Sequence, residues 1–441
     1  MSRLDVNSIR HTAGSADNIT LDGSKNVTCE NNLQVDGNVT VTGTIPADKL
    51  TGTAAAINGS NITNLPAANL TGTLPAISGA NLTNLPAAGV NPNLIINGAM
   101  SVAQRAPSAT GITTSGYYSL DRWTLNLSNY GTWSLSQTTG APKGFGKILR
   151  LECSTADASP ASGDDLRIMQ RIEAYSLQHL KYGESDAQDI TLSFWNKCNQ
   201  ASKVVCVHIY QPDGNRHVVK TFTTHSSGGS WQHTTITFPG DTGGTITNDN
   251  GSGLEVQFYM GGGSAWRSGS ASPTWQAYDA NETCVGQTLD LGDATNNYFD
   301  LTGVKLEVGT SATTFEDNDI GNEIWRCRRY CQGSYADDND FLFGPGFEGG
   351  GGSFYLPLMF NPPMRAAPTM KVNSNNWKQV GQGGQSSEYT GAMTAYDQQP
   401  GPLHTALLFW KDTDYPSSKE GRTQWMRAGD NATSVTIEAE L

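Results

Sequence analysis

Charge is scarce in this 441-residue chain. Asp, Glu, Lys and Arg make up 16% of it, and 41 acidic residues outweigh 28 basic ones, for a net charge of −13. Such a balance repels phosphate backbones and anionic lipid surfaces, so no nucleic acid partner is expected. No apolar run approaches the roughly 18–20 residues of a membrane span, so no membrane insertion is expected either. The opening MSRLDVNSIRH lacks the apolar stretch of a secretory signal, which points to folding in a cytoplasm. The seven cysteines (Cys29, Cys153, Cys198, Cys206, Cys284, Cys327, Cys331) are odd in number and form no C-x-x-C pair, which suits reduced thiols used as small core residues.

The usual catalytic and cofactor signatures are missing too. There is no H-E-x-x-H. The one Gly-Lys step, Gly146-Lys147, runs into Ile148, so there is no P-loop. Residues 344–349 match G-x-G-x-x-G only formally, because a strand-like GGGSFYLPLMF follows where a dinucleotide site needs a helix. Asp164 and Asp165 are adjacent and would face opposite sides of a strand, a poor acid/base pair. The DDND run at 337–340 fits no calcium loop. Cys327 and Cys331 are four apart with no third ligand nearby, so core packing explains them better than metal. No cofactor, no metal and no enzymatic activity are expected.

What the chain has is glycine (49 residues), Ser, Thr and Asn, and one unusual repeat. Aligning 46–65 with 66–85 makes thirteen of twenty positions identical, and Pro86-Ala87-Ala88 begins a third copy. Leu50 and Leu70, Ile57 and Ile77, Ile62 and Leu82, and Leu65 and Leu85 recur in register. Gly, Pro and Asn exclude a helix, and no simple strand alternation fits. A fixed period signals a unit that packs against neighbours. Four or five apolar side chains per twenty residues find no burial on a lone thin strand. Winding three chains about one axis would hide them and let the backbones pair, with glycine permitting close approach. A flexible linker is the bland alternative, although disorder does not keep apolar positions in register.

Residues 1–45 carry short strand signals in RLDVNSIRH, DNITLD and NNLQVDGNVTVTGT, where Val39 and Val41 alternate with polar residues. From residue 91 the texture becomes all-β. LEVQFYM (254–260) and GVKLEVG (303–309) alternate, KVVCVHIY (203–210) is apolar on both faces, and TLSFWNKC (191–198) and TTITFPG (234–240) add strands. Many short strands between Gly- and Ser-rich turns predict an antiparallel sandwich or jelly roll over 91–318. Residues 319–332 are the best helix candidate, capped by Asp319, with Ile320, Ile324, Cys327 and Cys331 at 4-3-4 spacing. That seam would pack either on a sheet of its own chain or near a shared axis, with Arg326, Arg328 and Arg329 reaching acidic groups. Beyond it, DFLFG, SFYLPLMF, TMKVN, HTALLFW and SVTIEAEL predict a second β domain to residue 441.

Several of these stretches together resemble a known family. NLIINGAMSVAQR (93–105), YSLDRW (118–123) and DLTGVKLEVGTSATTFE (300–316) look like the jelly-roll module of many phage tail fibres, especially of marine and cyanobacterial phages, a module similar to carbohydrate-binding ones. The repeat, the opening 4–27 and the C-terminal PPMRAAPTMKV (362–372) look like such fibres too. The resemblance implies a homotrimeric fibre. Its N-terminal region (1–45) would attach to the phage tail, an adaptor or nozzle, or to another virion protein. A repeat shaft (46–90) would lead to a jelly-roll domain (91–318) and a β tip (319–441). The implied location is the virion, after assembly in the host cytoplasm, and the implied partner is a host surface polysaccharide. A head fibre or decoration protein without receptor binding, and a polysaccharide depolymerase, are the competing readings.

The family's motifs fix no binding residues, so the candidates come from chemistry. Flat aromatic faces stack on sugars, and guanidinium groups bond hydroxyls or acidic sugars. Trp266, Arg267 and Trp275 sit in GGGSAWRSGSASPTWQ, too Gly- and Ser-rich for a strand interior. Trp377, Tyr389, Tyr396, Trp410, Tyr415 and Trp425 stand among Asn, Gln and Gly in the tip. Packing under loops or between subunits is the alternative for each.

Overall fold

The structure, a computed structural model, describes residues 8–9, 19–21, 27–29, 91–316, 319–335, 341–349, 353–372, 377–380, 386–389, 394–395, 405–411, 423–428 and 434–441. Side chains are described for 91–316, 319–333, 360–369 and 436–441. Backbone contacts divide the chain into two units, Met1–Thr83 and Asn84–Leu441. In the first, β1 (Ser8–Ile9), β2 (Ile19–Leu21) and β3 (Val27–Cys29) form an antiparallel sheet in that order. Strands one and two fall in two of the expected segments. Val39, Val41 and the repeat, with Leu50, Ile57, Ile62, Leu65, Leu70, Ile77, Leu82 and Leu85, lie outside the described residues.

The second unit opens with twelve strands: β4 (Ser108–Ile112), β5 (Thr124–Ser128), β6 (Thr132–Thr138), β7 (Ile148–Thr155), β8 (Asp165–Glu173), β9 (Ile190–Cys198), β10 (Val204–Gln211), β11 (Arg216–Thr223), β12 (Gln232–Phe238), β13 (Ser252–Gly262), β14 (Gln276–Ala277) and β15 (Tyr298–Val308). They form two six-stranded antiparallel sheets, β12-β9-β15-β7-β6-β4 and β14-β11-β10-β13-β8-β5. The pairs β7·β15, β8·β13, β9·β12 and β10·β11 nest inside one another and alternate between the sheets. That nesting is a jelly-roll winding, and the expected strands at 191–198, 203–210, 234–240, 254–260 and 303–309 all belong to it.

Alternation explains why these strands form a sandwich. Val205, Val207 and Ile209 of β10, Val256 and Phe258 of β13 and Ile168 of β8 send one set of side chains inward. Leu149 and Leu151 of β7, Leu192 and Phe194 of β9 and Leu306 of β15 meet them from the other sheet. Phe194 clasps the sheets together, standing edge-on to Phe222 and to Phe258 of the opposite sheet with ring centroids 5.1 Å apart in each pair. Such pairs add about 0.5–1.5 kcal/mol each beyond area burial. Cys153, Cys198, Cys206, Cys284, Cys327 and Cys331 are buried free thiols.

After the sandwich come α1 (Ile320–Arg328) and ten strands: β16 (Cys331–Tyr335), β17 (Phe341–Gly349), β18 (Ser353–Met359), β19 (Thr369–Val372), β20 (Trp377–Val380), β21 (Ser386–Tyr389), β22 (Thr394–Ala395), β23 (Thr405–Lys411), β24 (Thr423–Ala428) and β25 (Ser434–Glu438). They make a small sheet, β16-β25-β19, and a seven-stranded one, β21-β20-β24-β17-β18-β23-β22. The glycine run at 344–349 lies inside β17, with strand β18 next. Asp319 caps α1 as expected, accepting from Gly321 N at 2.9 Å. The four-residue seam does not hold together. The helix ends at Arg328 and Cys331 opens a strand, so Cys327 and Cys331 are fully buried within the chain. Ile320 stays 52% exposed and Ile324 38%, with Trp325 beside them at 48%.

A buried polar joint fixes this second part to the sandwich. Its hub is Asn97, fully buried with φ 60°. Asn97 donates from Nδ2 to Val102 O (2.8 Å) and Asp121 O (3.0 Å), and accepts Trp123 Nε1 on its carbonyl (3.1 Å). Its backbone N donates to Glu323 of α1. The neighbouring residue must be glycine, because a Cβ at Gly98 would sit 2.1 Å from Val304 O. Arg105 pairs with Glu438 (2.7 Å) and Glu440 (2.9 Å), with Asp121 at 3.7 Å. Arg122 pairs with Glu440 and lies 3.6 Å above the Tyr330 ring. Arg329 and Tyr330 both bind Glu173 of β8. Replacing Arg105 by Ala removes the guanidinium that Asp121, Glu438 and Glu440 share. It is expected to cost about 3–5 kcal/mol, read as a lower urea midpoint. An unchanged midpoint would show that the joint adds no stability.

Candidate functional site

The inward face of the β14-β11-β10-β13-β8-β5 sheet is ordinary core. Its outward face is not ordinary surface. Residues in register across the strands form two cross-strand rows. One row is Gln276, His217, Tyr210, Glu255 and Arg171. The next is Val219, His208, Gln257, Met169 and Thr124. Arg167 and Asn126 are paired one step further along. Opposed side chains in such rows stand about 4.5–5.5 Å apart at Cβ and interact directly.

Hydrogen bonds tie the rows into one network. Arg171 Nε donates to Glu255 Oε1 at 2.8 Å, and Gln257 Nε2 donates to Glu255 Oε2 at 2.8 Å. Gln257 Oε1 accepts Arg167 Nη1 at 2.9 Å and lies 3.1 Å from His208 Nδ1. Arg167 Nε also donates to Asp165 Oδ2 at 2.6 Å. Tyr278, just past β14, closes the aromatic side. Its ring lies 4.8 Å from that of Tyr210, 5.4 Å from His217 and 6.1 Å from His208, stacked on the last at 26°. Asn215 in the β10–β11 turn accepts Tyr210 OH at 3.0 Å, and its carbonyl accepts Tyr278 N at 2.9 Å.

The site is layered. His208, His217, Gln257 and Met169 are buried, whereas Tyr210, Tyr278, Glu255, Arg171, Arg167 and Asn126 are half-buried and reach solvent. His208 Nε2 and His217 Nδ1 have no hydrogen-bond partner among the described residues. Burying polar groups this way costs free energy, so a continuous polar network on a sheet face that the core does not need makes this face the candidate site. Burial first, then the neighbouring His217, pushes the His208 imidazole down to about 3. His217 is lowered by burial, with Glu282 and Asp279 pulling the other way. The two histidines are therefore neutral at ordinary pH. What solvent meets is a pair of tyrosine rings flanked by a carboxylate and two guanidiniums.

No protein-family model matches the chain, and no curated protein sequence does. Among solved structures, the enzymatically active domain of bacteriophage CBA120 tailspike protein 4 aligns with 49% of this chain at 12% identity and a TM-score of 0.27, over 21% of its own length. A xylan-binding domain from Paenibacillus barcinonensis aligns with 51% of this chain at 9% identity and 0.26, over all of its own length. The N-terminal cellulose-binding domain of Cellulomonas fimi β-1,4-glucanase C aligns with 48% at 12% identity and 0.24, again over its whole length.

The residues singled out from sequence fall elsewhere. Trp266 is half-buried beside the face, packed on the Cys206, Val219, Tyr259 and Cys284 cluster, with the Arg167 guanidinium 5.3 Å from its ring. Arg267 is committed to backbone carbonyls of Gly262, Gly263 and Gln287. Trp275 donates to Pro239 O at 2.6 Å and packs edge-on to Tyr182 against the main core. Trp377, Tyr389, Trp410 and Trp425 lie in strands, where Trp377 is the register partner of Tyr389. Tyr396 and Tyr415 lie outside the described residues. Asp164 lies just before β8 and accepts from Ala161 N, whereas Asp165 opens that strand and accepts from Arg167, so the two do not face opposite sides of one strand.

The face itself was missed. Its signal lay in alternate positions: Glu255 and Gln257 in LEVQFYM, read for its apolar half, His208 and Tyr210 in KVVCVHIY, read as apolar on both faces, and Arg167 and Arg171 in DLRIMQRIE, outside the segments read as strands.

The buried imidazole has a thermodynamic consequence. The unfolded chain protonates His208 near pH 6.5, the folded chain only near 3. Stability is thus lost as pH falls through that window. Asp121 acts oppositely: burial raises it to about 6 against the pull of Arg105 and Gln104, so the stability of its protonated form is lost as pH rises toward 6. Comparing urea midpoints of the parent and His208→Asn at pH 7 and 4.5 isolates the imidazole. The drop on acidification should be smaller in the variant, and an equal drop would rule out a buried neutral His208.

Proposed function

We propose that this chain is a receptor-binding fibre protein of a tailed phage of the marine or cyanobacterial type. In this reading it holds the virion through residues 1–45, trimerises along the 46–90 repeat, and adheres to a host surface polysaccharide through the outward sheet face, without breaking a bond. The observation that carries the glycan part is the Tyr210–Tyr278 pair set beside Glu255, Arg171 and Arg167. Aromatic faces take the apolar face of a sugar ring, while rigidly held carboxylates and guanidiniums take its hydroxyls. Glu255 and Asp165 are each bound to an arginine, an arrangement that suits recognition better than proton transfer.

The trimer rests on the repeat and on the exposed Ile320, Ile324 and Trp325 of α1. Arg326 of that helix donates to the carbonyls of Asn93 and Ile95, just after the repeat ends. Three weak sites per fibre, multiplied over several fibres, raise avidity by orders of magnitude.

Light scattering on the intact chain should give three times its 47.1 kDa mass, whereas a monomer would remove the fibre reading. Purified protein should bind host cells and their polysaccharide. Tyr278→Ala and Tyr210→Ala should each weaken a single site roughly 2- to 13-fold, as the loss of about 0.5–1.5 kcal/mol of ring contact predicts. A trimer that binds no cells would leave a head-fibre or decoration role, and release of reducing ends would make the protein a depolymerase.

A further inference from the structure

Where α1 meets the end of β8, the second unit holds a cavity of about 240 Å³. Its lining includes Arg122, Arg171, Arg326 and Arg329, but one carboxylate only, Glu173, together with Ser176. Each guanidinium is held by groups outside the cavity or at its rim. Arg171 is fixed by Glu255 at 2.8 Å, and Arg326 by the carbonyl of Asn93 at 3.0 Å. Arg122 is fixed by Glu440 and by Arg171 O at 2.5 Å. Glu173 is already filled: Arg329 donates to both its oxygens (2.9 and 2.5 Å) and Tyr330 OH adds a third bond at 2.7 Å.

The lining residues thus bring four guanidiniums and one carboxylate, each guanidinium with its own carboxylate partner (Arg326 pairs with Glu323 at 3.4 Å), and Glu173 has little left to offer. The lining also contains a donor in need of an acceptor. Arg122 is buried and its Nε has no partner among the described residues. A buried N–H left unsatisfied is unfavourable, and a charged donor more so. A space several times the roughly 30 Å³ share of one water molecule, walled by pre-positioned guanidiniums, suits a planar or tetrahedral oxyanion held by charge-assisted bonds. Arg171 belongs both to this lining and to the sheet face, where it pairs with Glu255.

From this we infer that the cavity takes the carboxylate or sulfate group of an acidic sugar, so that the polysaccharide recognised by the sheet face is an anionic one. This deepens the glycan-binding reading and rests on it. Recognition of a polyanion by a chain of net charge −13 then depends on local arginines, while the remaining surface rejects anions that do not fit.

The test uses the intact protein in calorimetric titrations with sodium glucuronate, sodium sulfate and glucose at one ionic strength, since screening would otherwise mimic specificity. Saturable binding of glucuronate or sulfate, with none of glucose, is the expected result. Glucuronate alone would assign a uronic acid. Sulfate binding counts only if a sulfated polysaccharide binds as well; inorganic sulfate by itself would overturn the sugar assignment. Ser176→Glu puts a carboxylate at the cavity from an exposed residue of the short 3-10 helix Ala174–Leu180 and should weaken anion binding at least tenfold at an unchanged unfolding midpoint. Arg326→Gln should weaken it in the same sense.

Tyr278→Ala should keep the small-anion binding while weakening binding of the polysaccharide. No saturable anion binding, or equal binding in Ser176→Glu, would overturn the inference. Binding of a neutral polysaccharide without either anion would overturn it and leave the glycan reading standing. Anion binding without any polysaccharide would overturn the glycan reading and the acidic-sugar assignment together.

Discussion

The arrangement of the Asn84–Leu441 unit depends on one buried joint, in which guanidinium groups from the sandwich meet carboxylates from the end of the chain. Arg105 and Arg122 are almost wholly desolvated, and Glu438 and Glu440 reach them from β25 and the residues after it. Ions in such a setting are tolerable only when every partner is present and well placed. Asn97 makes the placement unique, because it binds Val102, Asp121 and Glu323 of α1 at once. Its left-handed backbone, and that of Arg122 at φ 70°, are conformations a chain holds only where surrounding bonds over-determine them. The joint also explains the stretches NLIINGAMSVAQR and YSLDRW: they supply Asn97, Gly98, Gln104, Arg105, Asp121, Arg122 and Trp123 to it, and Arg122 lines the arginine-walled cavity as well.

Given that joint, the second sheet of the sandwich has two different faces. Inward, Val207, Ile209, Val256 and Phe258 are interchangeable contributors to a packed core. Outward, His208, Gln257, Glu255 and Arg171 depend on one another through directional bonds. Removing one leaves its neighbour's polar atoms without a partner in a partly dry place, where that loss is large. The connection from β13 to β15 carries Trp266 and Cys284 over one end of the face, above Tyr259 and Cys206. It leaves Tyr210 and Tyr278 at the open part.

Adhesion of the kind proposed makes modest demands on each site. It needs rings held at fixed angles and polar groups that do not reorganise on binding, because pre-organisation keeps the ordering cost low. The tyrosine pair is held through Asn215, and Arg167 and Arg171 through carboxylates on the same face. A fibre that samples a surface gains more from repetition than from any single tight contact. The exposed Ile320, Ile324 and Trp325 are features that one copy of the chain leaves unexplained, and a shared axis would account for them.

By itself, the sequence determined the local elements. Period-2 alternation made β13 and β15 legible because such a strand must bury one face wherever it ends up, β10 was legible as a short run apolar on both faces, and Asp319 announced α1 because an N-cap is a contact within a few residues. It also determined the twenty-residue repeat. Only the tertiary structure decided which strands are neighbours, and so which outward residues share a face: Tyr210 meets Glu255 and Glu255 meets Arg171 through pairings between segments tens of residues apart. The same long-range pairing split Cys331 from Ile320, Ile324 and Cys327 of α1, since β16 begins at Cys331 where it pairs with β25. It also turned Trp275 toward the carbonyl of Pro239 and Arg267 toward that of Gln287, both far off in sequence. Local chemistry fixes what a segment becomes, whereas a binding face is a relation between distant segments, and only the closed sandwich supplies it.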